Sequence, residues 1–124
     1  MRMLEIDFDA RPPIEAYGGG GFRIGGAKRM GSQLLLPGGM ADWPVAELSA
    51  LGPEALAPIL AAAEDIDVLL LGAGADVGFP PREARAALEA AGVGLDPMST
   101  PAACRTFNVL LAEGRRVAAA LIAV

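Results

Sequence analysis

The fold is decided by residues 65–124, which read DIDVLLLGAGADVGFPPREARAALEAAGVGLDPMSTPAACRTFNVLLAEGRRVAAALIAV. The apolar run Ile66–Leu71 shows no alternation, and it therefore predicts a strand buried on both faces, as in the centre of a parallel sheet. Pro81–Ala91 predicts a helix, because proline stands near its start and Gly92 follows its end. Val93–Leu95 predicts a short second strand. This strand–helix–strand unit predicts a parallel pair within a layered α/β fold.

The end of the chain repeats the same order of elements. Thr100 predicts an N-cap with Pro101 at the first helical position, and the helix extends to about Ala112. Gly114 ends this helix, and Val117–Val124 then predicts a fully apolar central strand. Two glycine- or proline-marked turns thus lead from strands into helices. We expect both turns on the same side of the sheet, where α/β folds place their binding sites.

The N-terminal part of the chain predicts antiparallel strands. Residues 4–9 alternate apolar and acidic side chains, which is typical of a half-buried strand. Tyr17 and the run Gly18–Gly21 predict a flexible connection. Phe22–Ile24 and Ala27–Met30 flank a pair of glycines, and paired glycines supply the positive φ angles of a tight hairpin turn. A β-hairpin is therefore expected ahead of the α/β part.

The middle of the chain predicts one more strand and one helix. Ser32–Leu36 is an apolar strand that Pro37 ends. Trp43 is the only tryptophan, and a core position is favoured over ligand stacking because its side chain buries a large area. Leu48–Glu64 has a helical composition. Pro58 lacks a backbone donor, so the helix is expected to start late or to bend there.

Composition bounds the class of protein. A chain of 124 residues predicts a single domain spanning 1–124, and no apolar run approaches the length of a membrane-spanning helix. The net charge of −5 argues against nucleic-acid binding. With no histidine and one cysteine, the chain has no Ser-His-Asp or Cys-His machinery, no intramolecular disulfide and no histidine- or multi-cysteine-ligated metal. We expect no cofactor, no metal site and a cytoplasmic location, since the N-terminus lacks the features of an export signal.

A glycine-rich turn after the first predicted strand is a candidate binding site. Gly72 and Gly74 follow Ile66–Leu71, and backbone N–H groups before a helix can hold a small anion or a nucleotide phosphate. Asp96 lies 22 residues after Gly74, near the place of a ribose-binding acid. The glycine spacing departs from the dinucleotide pattern, and Asp76 would repel a phosphate. A structural tight turn is the favoured reading, with nucleotide binding as the alternative.

The start of the last helix supplies the other wall of this predicted crevice. Ser99 and Thr100 are typical capping residues that could also line the crevice beside Asp96. Cys104 lies near the helix start, where the pKa of a thiol can be lowered, but the helical spacing also places it at the margin of the buried face. Arg105 could hold an anion, and Asn108 lies on the same face as Cys104. A structural cysteine is favoured over a reactive one, and no residue is assigned a catalytic role.

The segments DVLLLGAG and GVGLDPMSTPAACRTFNVLLAEGRRVAAALIAV, with YGGGGFRIGG and GSQLLLPGGMADWP before them, resemble a family of small bacterial and archaeal α/β proteins of unknown function. Its eukaryotic relatives include a mitochondrial respiratory complex I assembly factor and an adipogenesis-associated cytosolic protein. The resemblance implies a three-layer α/β fold around a mixed five-stranded sheet with one central antiparallel strand, here assigned to Val117–Val124. It also implies a usual glycine-threonine-glycine turn, which is Gly72-Ala73-Gly74 in this chain.

Two functions are carried forward from these observations. The first is a non-enzymatic protein-interaction or assembly-factor-like module, with a protein partner or a second copy of the chain as its ligand. The second is a small-molecule-binding protein or enzyme that uses the crevice between Gly72–Gly74 and Asp96–Arg105. The resemblance and the lack of a catalytic constellation favour the first. Nucleic-acid and membrane binding are disfavoured by the charge.

Overall fold

The computed structural model of the protein describes residues 11–124. Eight strands and three helices form within this range, in two separate sheets. The predicted strand over residues 4–9 lies outside the described residues. The strands are β1 (Ile14–Gly18), β2 (Gly21–Ile24), β3 (Ala27–Met30), β4 (Gln33–Leu36), β5 (Gly39–Asp42), β6 (Val68–Gly72), β7 (Gly94–Met98) and β8 (Val117–Leu121); the helices are α1 (Pro53–Ala61), α2 (Arg82–Ala90) and α3 (Thr100–Ala112).

The larger sheet has five strands in the order β5-β4-β8-β6-β7. β6 is parallel to both of its neighbours, β7 and β8. β4 is antiparallel to β8 and to β5. The predicted mixed sheet with one internal antiparallel strand is therefore confirmed, but its assignment to Val117–Val124 is wrong. The antiparallel strand is β4, because β8 pairs in parallel with β6 along its whole length.

The sheet separates two hydrophobic cores. Leu69 and Leu71 of β6 belong to the core that includes α1 and α2, whereas Leu70 belongs to the core that includes α3 and the smaller sheet. Successive residues of a strand point to opposite faces, so an uninterrupted apolar run is what two buried faces require. β8 follows the same rule with Ala118 and Ala120 on one side and Ala119 on the other. The result is the predicted three-layer arrangement.

The smaller sheet has the order β1-β2-β3 and lies on the α3 side. The predicted hairpin between β2 and β3 is confirmed, with positive φ angles at both Gly25 and Gly26. The predicted flexible connection at Tyr17–Gly21 is wrong. Ile14–Gly18 pairs with β2 as a second hairpin, and only Gly19 and Gly20 form its turn. Glycine permits the positive φ angles of that turn, and the flanking residues extend into the ladder.

The remaining elements refine the predicted boundaries. Trp43 is buried, and its indole Nε1 donates a hydrogen bond to the carbonyl oxygen of Ala55 at 3.0 Å, which confirms it as a core residue. α1 begins at Pro53, after a short 3-10 turn over Leu48–Ala50, and Pro58 lies in its interior, so the helix does not start at Pro58 to avoid the missing donor. β5 is a strand that the sequence analysis did not predict, and it pairs with β4. Among residues 11–124, no helix is long and apolar enough to cross a membrane.

Candidate functional site

The two predicted walls of the crevice meet at a junction between the end of β6 and the start of α3. The Ala73 N–H donates to the Met98 carbonyl at 2.8 Å, and the Thr100 N–H donates to the Gly74 carbonyl at 2.8 Å. The Ile122 N–H donates to the Gly72 carbonyl at 2.9 Å. Sequence reasoning therefore brought the correct segments together. Their backbone groups, however, bind each other across the junction.

The Thr100 side chain links the segments of this junction through hydrogen bonds. Its side chain is fully buried, accepts a hydrogen bond from the Gly74 N–H at 3.0 Å and donates one to the Ile122 carbonyl at 2.7 Å. A Cβ at Gly72 would lie only 2.9 Å from the Thr100 hydroxyl oxygen, so glycine is what lets β6 approach α3. Thr100 is not the N-cap that the sequence predicted. Ser99 takes that position, and its hydroxyl oxygen accepts from the Ala102 N–H at 3.3 Å.

The other predicted residues separate into buried and exposed positions. Cys104 lies on the buried face of α3. Desolvation raises the pKa of its thiol to about 11, and the positive charge of Arg105 opposes this shift only in part. Asn108 contacts β1: its Oδ1 accepts from the Ile14 N–H and its Nδ2 donates to the Ile14 carbonyl, both at 2.8 Å. Arg105 and Asp96 are exposed. A thiolate at Cys104 is thus disfavoured, and a ligand-binding role for the set stays a prediction.

A second candidate surface lies on the loop that leads from β6 to α2. Val77 is 61% exposed and Phe79 is 72% exposed, which makes them the two most exposed large apolar side chains among residues 11–124. Two exposed apolar side chains within three residues make this segment a candidate contact surface. We call Val77 and Phe79 the apolar loop. The sequence analysis did not identify this segment as a candidate.

The loop is held in place by the residues that alternate with its exposed side chains. Gly78 packs closely, since a Cβ there would lie 3.3 Å from Leu48 Cδ1 and 3.4 Å from Ala73 Cβ. Pro80 is buried, and proline fixes its own φ angle. Phe79 therefore projects from a segment that is anchored on both sides.

A groove of about 600 Å³ lies beside the loop. Its lining includes Phe79, Leu95 and Pro97 of the edge strand β7, and Arg85 and Glu89 of α2, which carry charges of opposite sign. The Gly94 N–H donates to the Asp67 carbonyl, and the Met98 carbonyl accepts from the Ala73 N–H. The backbone groups of every second residue of β7 therefore point toward β6. The outward residues are then Leu95 and Pro97, and Pro97 has no N–H to offer another strand. The groove thus suits side-chain contacts better than strand addition.

Comparison with known proteins gives a consistent picture. An uncharacterized protein of Rhodobacter capsulatus is 43% identical over 122 residues, covering 98% of this chain and 93% of that protein. The NADH dehydrogenase (ubiquinone) 1 alpha subcomplex assembly factor 3 of Danio rerio is 33% identical over 120 residues, covering 97% of this chain and 69% of that protein. The crystal structure of a Bartonella henselae protein described as an outer membrane protein superposes with a TM-score of 0.88 at 42% identity, covering 95% of this chain and 99% of that one.

These similarities confirm the resemblance that the sequence motifs suggested. The profile of the family described as "Protein of unknown function (DUF498/DUF598)" matches residues 14–122, which include every strand and helix given above. The chain therefore belongs to the DUF498/DUF598 family of proteins of unknown function.

Proposed function

We propose that this protein is a non-enzymatic protein-interaction module of the assembly-factor type, and that the apolar loop is its main contact. The relatedness to complex I assembly factors supports a protein partner. The observation that carries the proposal is the exposure of Phe79, which is 72% accessible on an anchored loop.

Burial of Phe79 would supply part of the binding energy of a larger interface. A Phe side chain can bury on the order of 150–250 Å². Covering the 72% of Phe79 that is exposed would remove about 140 Å² from water and contribute roughly 3.5 kcal/mol at ~25 cal/mol/Å². Because Gly78 and Pro80 already fix the loop, little conformational entropy is lost on binding. Phe79 thus has the properties of a central anchor residue.

The crevice alternative receives no comparable support. The N–H groups of Ala73 and Gly74, which an anion would need, already donate to the Met98 carbonyl and to the Thr100 hydroxyl. A small-molecule ligand at this junction therefore stays a prediction, as does the cytoplasmic location. The interaction surface is the function that the geometry favours.

A variant that removes the apolar loop tests the proposal. The double variant Val77→Ser/Phe79→Ser is expressed with an affinity tag in the source cells, which are crosslinked before capture and quantitative mass spectrometry. Val109→Ser is the matched control, because Val109 is 55% exposed on α3, away from the loop. We expect the amount of one specific captured protein to fall at least tenfold with the double variant and to stay unchanged with the control. Equal capture by all three proteins would refute the proposal.

A further inference from the structure

The outer side of the smaller sheet carries an unusual pair of charges. Arg23 of β2 lies directly opposite Lys28 of β3, and both side chains are exposed. The next row on the same side consists of Gly18, Gly21 and Met30. We call the surface formed by Gly18, Gly21, Arg23, Lys28 and Met30 the basic face. The other side of β2 packs Phe22 and Ile24 into the core, so the orientation of this face is fixed.

The two cations occupy a position where their side chains are close. The Gly31 N–H donates to the Gly20 carbonyl, and hydrogen-bonded and non-hydrogen-bonded pairs alternate along an antiparallel ladder. Counting from that bond, Arg23 and Lys28 form a non-hydrogen-bonded pair, the type with the shorter Cα separation. Like charges in such a pair are destabilising. The fold therefore keeps an unfavourable pair at an exposed position.

Between residues 11 and 124, no acidic side chain forms an ion pair with Arg23 or Lys28. The ion pairs found between residues 11 and 124 are Arg29–Asp42 and Arg116–Asp67, which lie elsewhere. Arg23 contacts only a carbonyl, with its Nη1 donating to Gly26 at 3.3 Å. The carboxylate of Glu15 is engaged by the Gly26 N–H at 2.8 Å. The positive charge is thus available to a ligand.

The rest of the face offers apolar contact beside the charges. A Cβ at Gly21 would lie 2.7 Å from the Arg29 carbonyl oxygen and 2.9 Å from Met30 Sδ, so only glycine fits beneath the Met30 side chain. Met30 lies across this glycine and is 55% exposed. A shallow cavity of about 150 Å³, lined in part by Gly18, Gly21, Arg23 and Lys28, lies alongside. A carboxylate could enter there, and an apolar side chain could contact Met30.

The number of charges distinguishes among anionic partners. Membrane recognition by basic surfaces takes clusters of about 4–8 Lys or Arg, and nucleic-acid binding takes a basic stripe on the domain. Here the face carries two cations, which is fewer than either of those partners takes. We propose that the basic face binds an acidic segment of a protein partner, with a carboxylate between Arg23 and Lys28 and an apolar side chain against Met30. This inference rests on the proposed function and adds a second contact to it.

Binding is tested on the full chain by NMR titration of its backbone amides. The probe is a synthetic peptide, acetyl-GDELEDLG-amide, and its uncharged counterpart with Asn and Gln in place of the acids is the control. We expect amide shifts at Arg23, Lys28 and Met30 with the acidic peptide only, and affinity that falls with added salt. Arg23→Gln/Lys28→Gln should weaken binding at least tenfold, while Arg115→Gln, an exposed position between α3 and β8, leaves it unchanged. The double variant keeps its fold, since both side chains are exposed and their repulsion is removed.

Other outcomes overturn the inference. Inorganic phosphate that gives the same shifts at the same concentration would reduce the face to a small-anion site. Flotation with vesicles of phosphatidylcholine and phosphatidylserine would assign it to membranes. The inference would be refuted if Arg23→Gln/Lys28→Gln left the peptide affinity unchanged, or if millimolar peptide gave no amide shifts. If partner capture depends on Phe79 but not on Arg23 and Lys28, the proposed function holds and the inference about the basic face fails. If the peptide binds but capture does not depend on Phe79, the basic face holds and the proposed function fails.

Discussion

Replacing the buried Thr100 hydroxyl by a methyl group is the sharpest test of the junction between β6 and α3. Thr100→Val keeps the shape and the β-branch of the side chain but removes both of its hydrogen bonds. The Gly74 N–H loses its 3.0 Å acceptor and the Ile122 carbonyl loses its 2.7 Å donor. Thr100 is fully buried, so water cannot readily replace the hydroxyl.

The expected cost follows from these two bonds. A buried donor or acceptor left without its partner costs about 1–3 kcal/mol, so two such groups give roughly 3–4 kcal/mol. The added methyl group returns about 1 kcal/mol through burial. The net loss in the free energy of unfolding is then about 2–3 kcal/mol, which for a chain of this size lowers Tm by roughly 10 °C.

Urea unfolding followed by circular dichroism measures this loss. Thr100→Ser keeps the hydroxyl and removes a methyl group, so it should cost only about 1 kcal/mol. Thr106→Val makes the same chemical change on α3 outside the junction and should be close to neutral. If Thr100→Val were as stable as the parent protein, or less harmful than Thr100→Ser, the account of the junction would be wrong.

Three further predictions concern the core. Asn108→Ala removes both hydrogen bonds between Asn108 and Ile14, so it should lower the free energy of unfolding by about 1–3 kcal/mol. It should also speed amide hydrogen exchange at Ile14 more than at β6, and uniform acceleration would contradict this. Burial raises the pKa of the Cys104 thiol from the ordinary value of 9.0 to about 11, so the folded protein holds this proton more tightly than the unfolded chain does. The free energy of unfolding should therefore fall as pH rises between these values, by up to ~1.4 kcal/mol per pH unit, and Cys104→Ala should remove that slope. Trp43 fluorescence, which reports the α1–α2 core, should unfold together with the circular dichroism signal if residues 1–124 form one domain; separate midpoints would show two units.

The strands that lie inside the sheet could be predicted from the sequence because burial on two faces leaves a local pattern. The apolar runs around Leu69–Leu71 and Val117–Leu121 have no polar residue to place on a wet face. Strand direction leaves no such pattern. Val117–Val124 was assigned the antiparallel orientation, but that orientation belongs to Gln33–Leu36 and depends on pairing between segments more than 80 residues apart.

The candidate site was predicted in part for a similar reason. Local rules correctly placed the end of a strand near Gly72 and a helix start near Thr100, and α/β topology brought the two together. Ser99 and Thr100 are both good capping residues, and the choice between them depends on the distant carbonyl of Ile122 that the Thr100 hydroxyl binds. The exposure of Phe79 also has no local signal, since it depends on Gly78 and Pro80 being packed into the protein.

Photocrosslinking from the apolar loop tests the central claim most directly. A benzoylphenylalanine side chain at position 79 reacts with whatever contacts it in living cells, and the same group at position 109 is the control on the exposed face of α3. The account predicts one dominant adduct from position 79 and none of it from position 109. An adduct of twice 12.6 kDa would identify a second copy of the chain, and a different mass a separate partner. The absence of any adduct specific to position 79 would contradict the claim that this protein acts through the apolar loop.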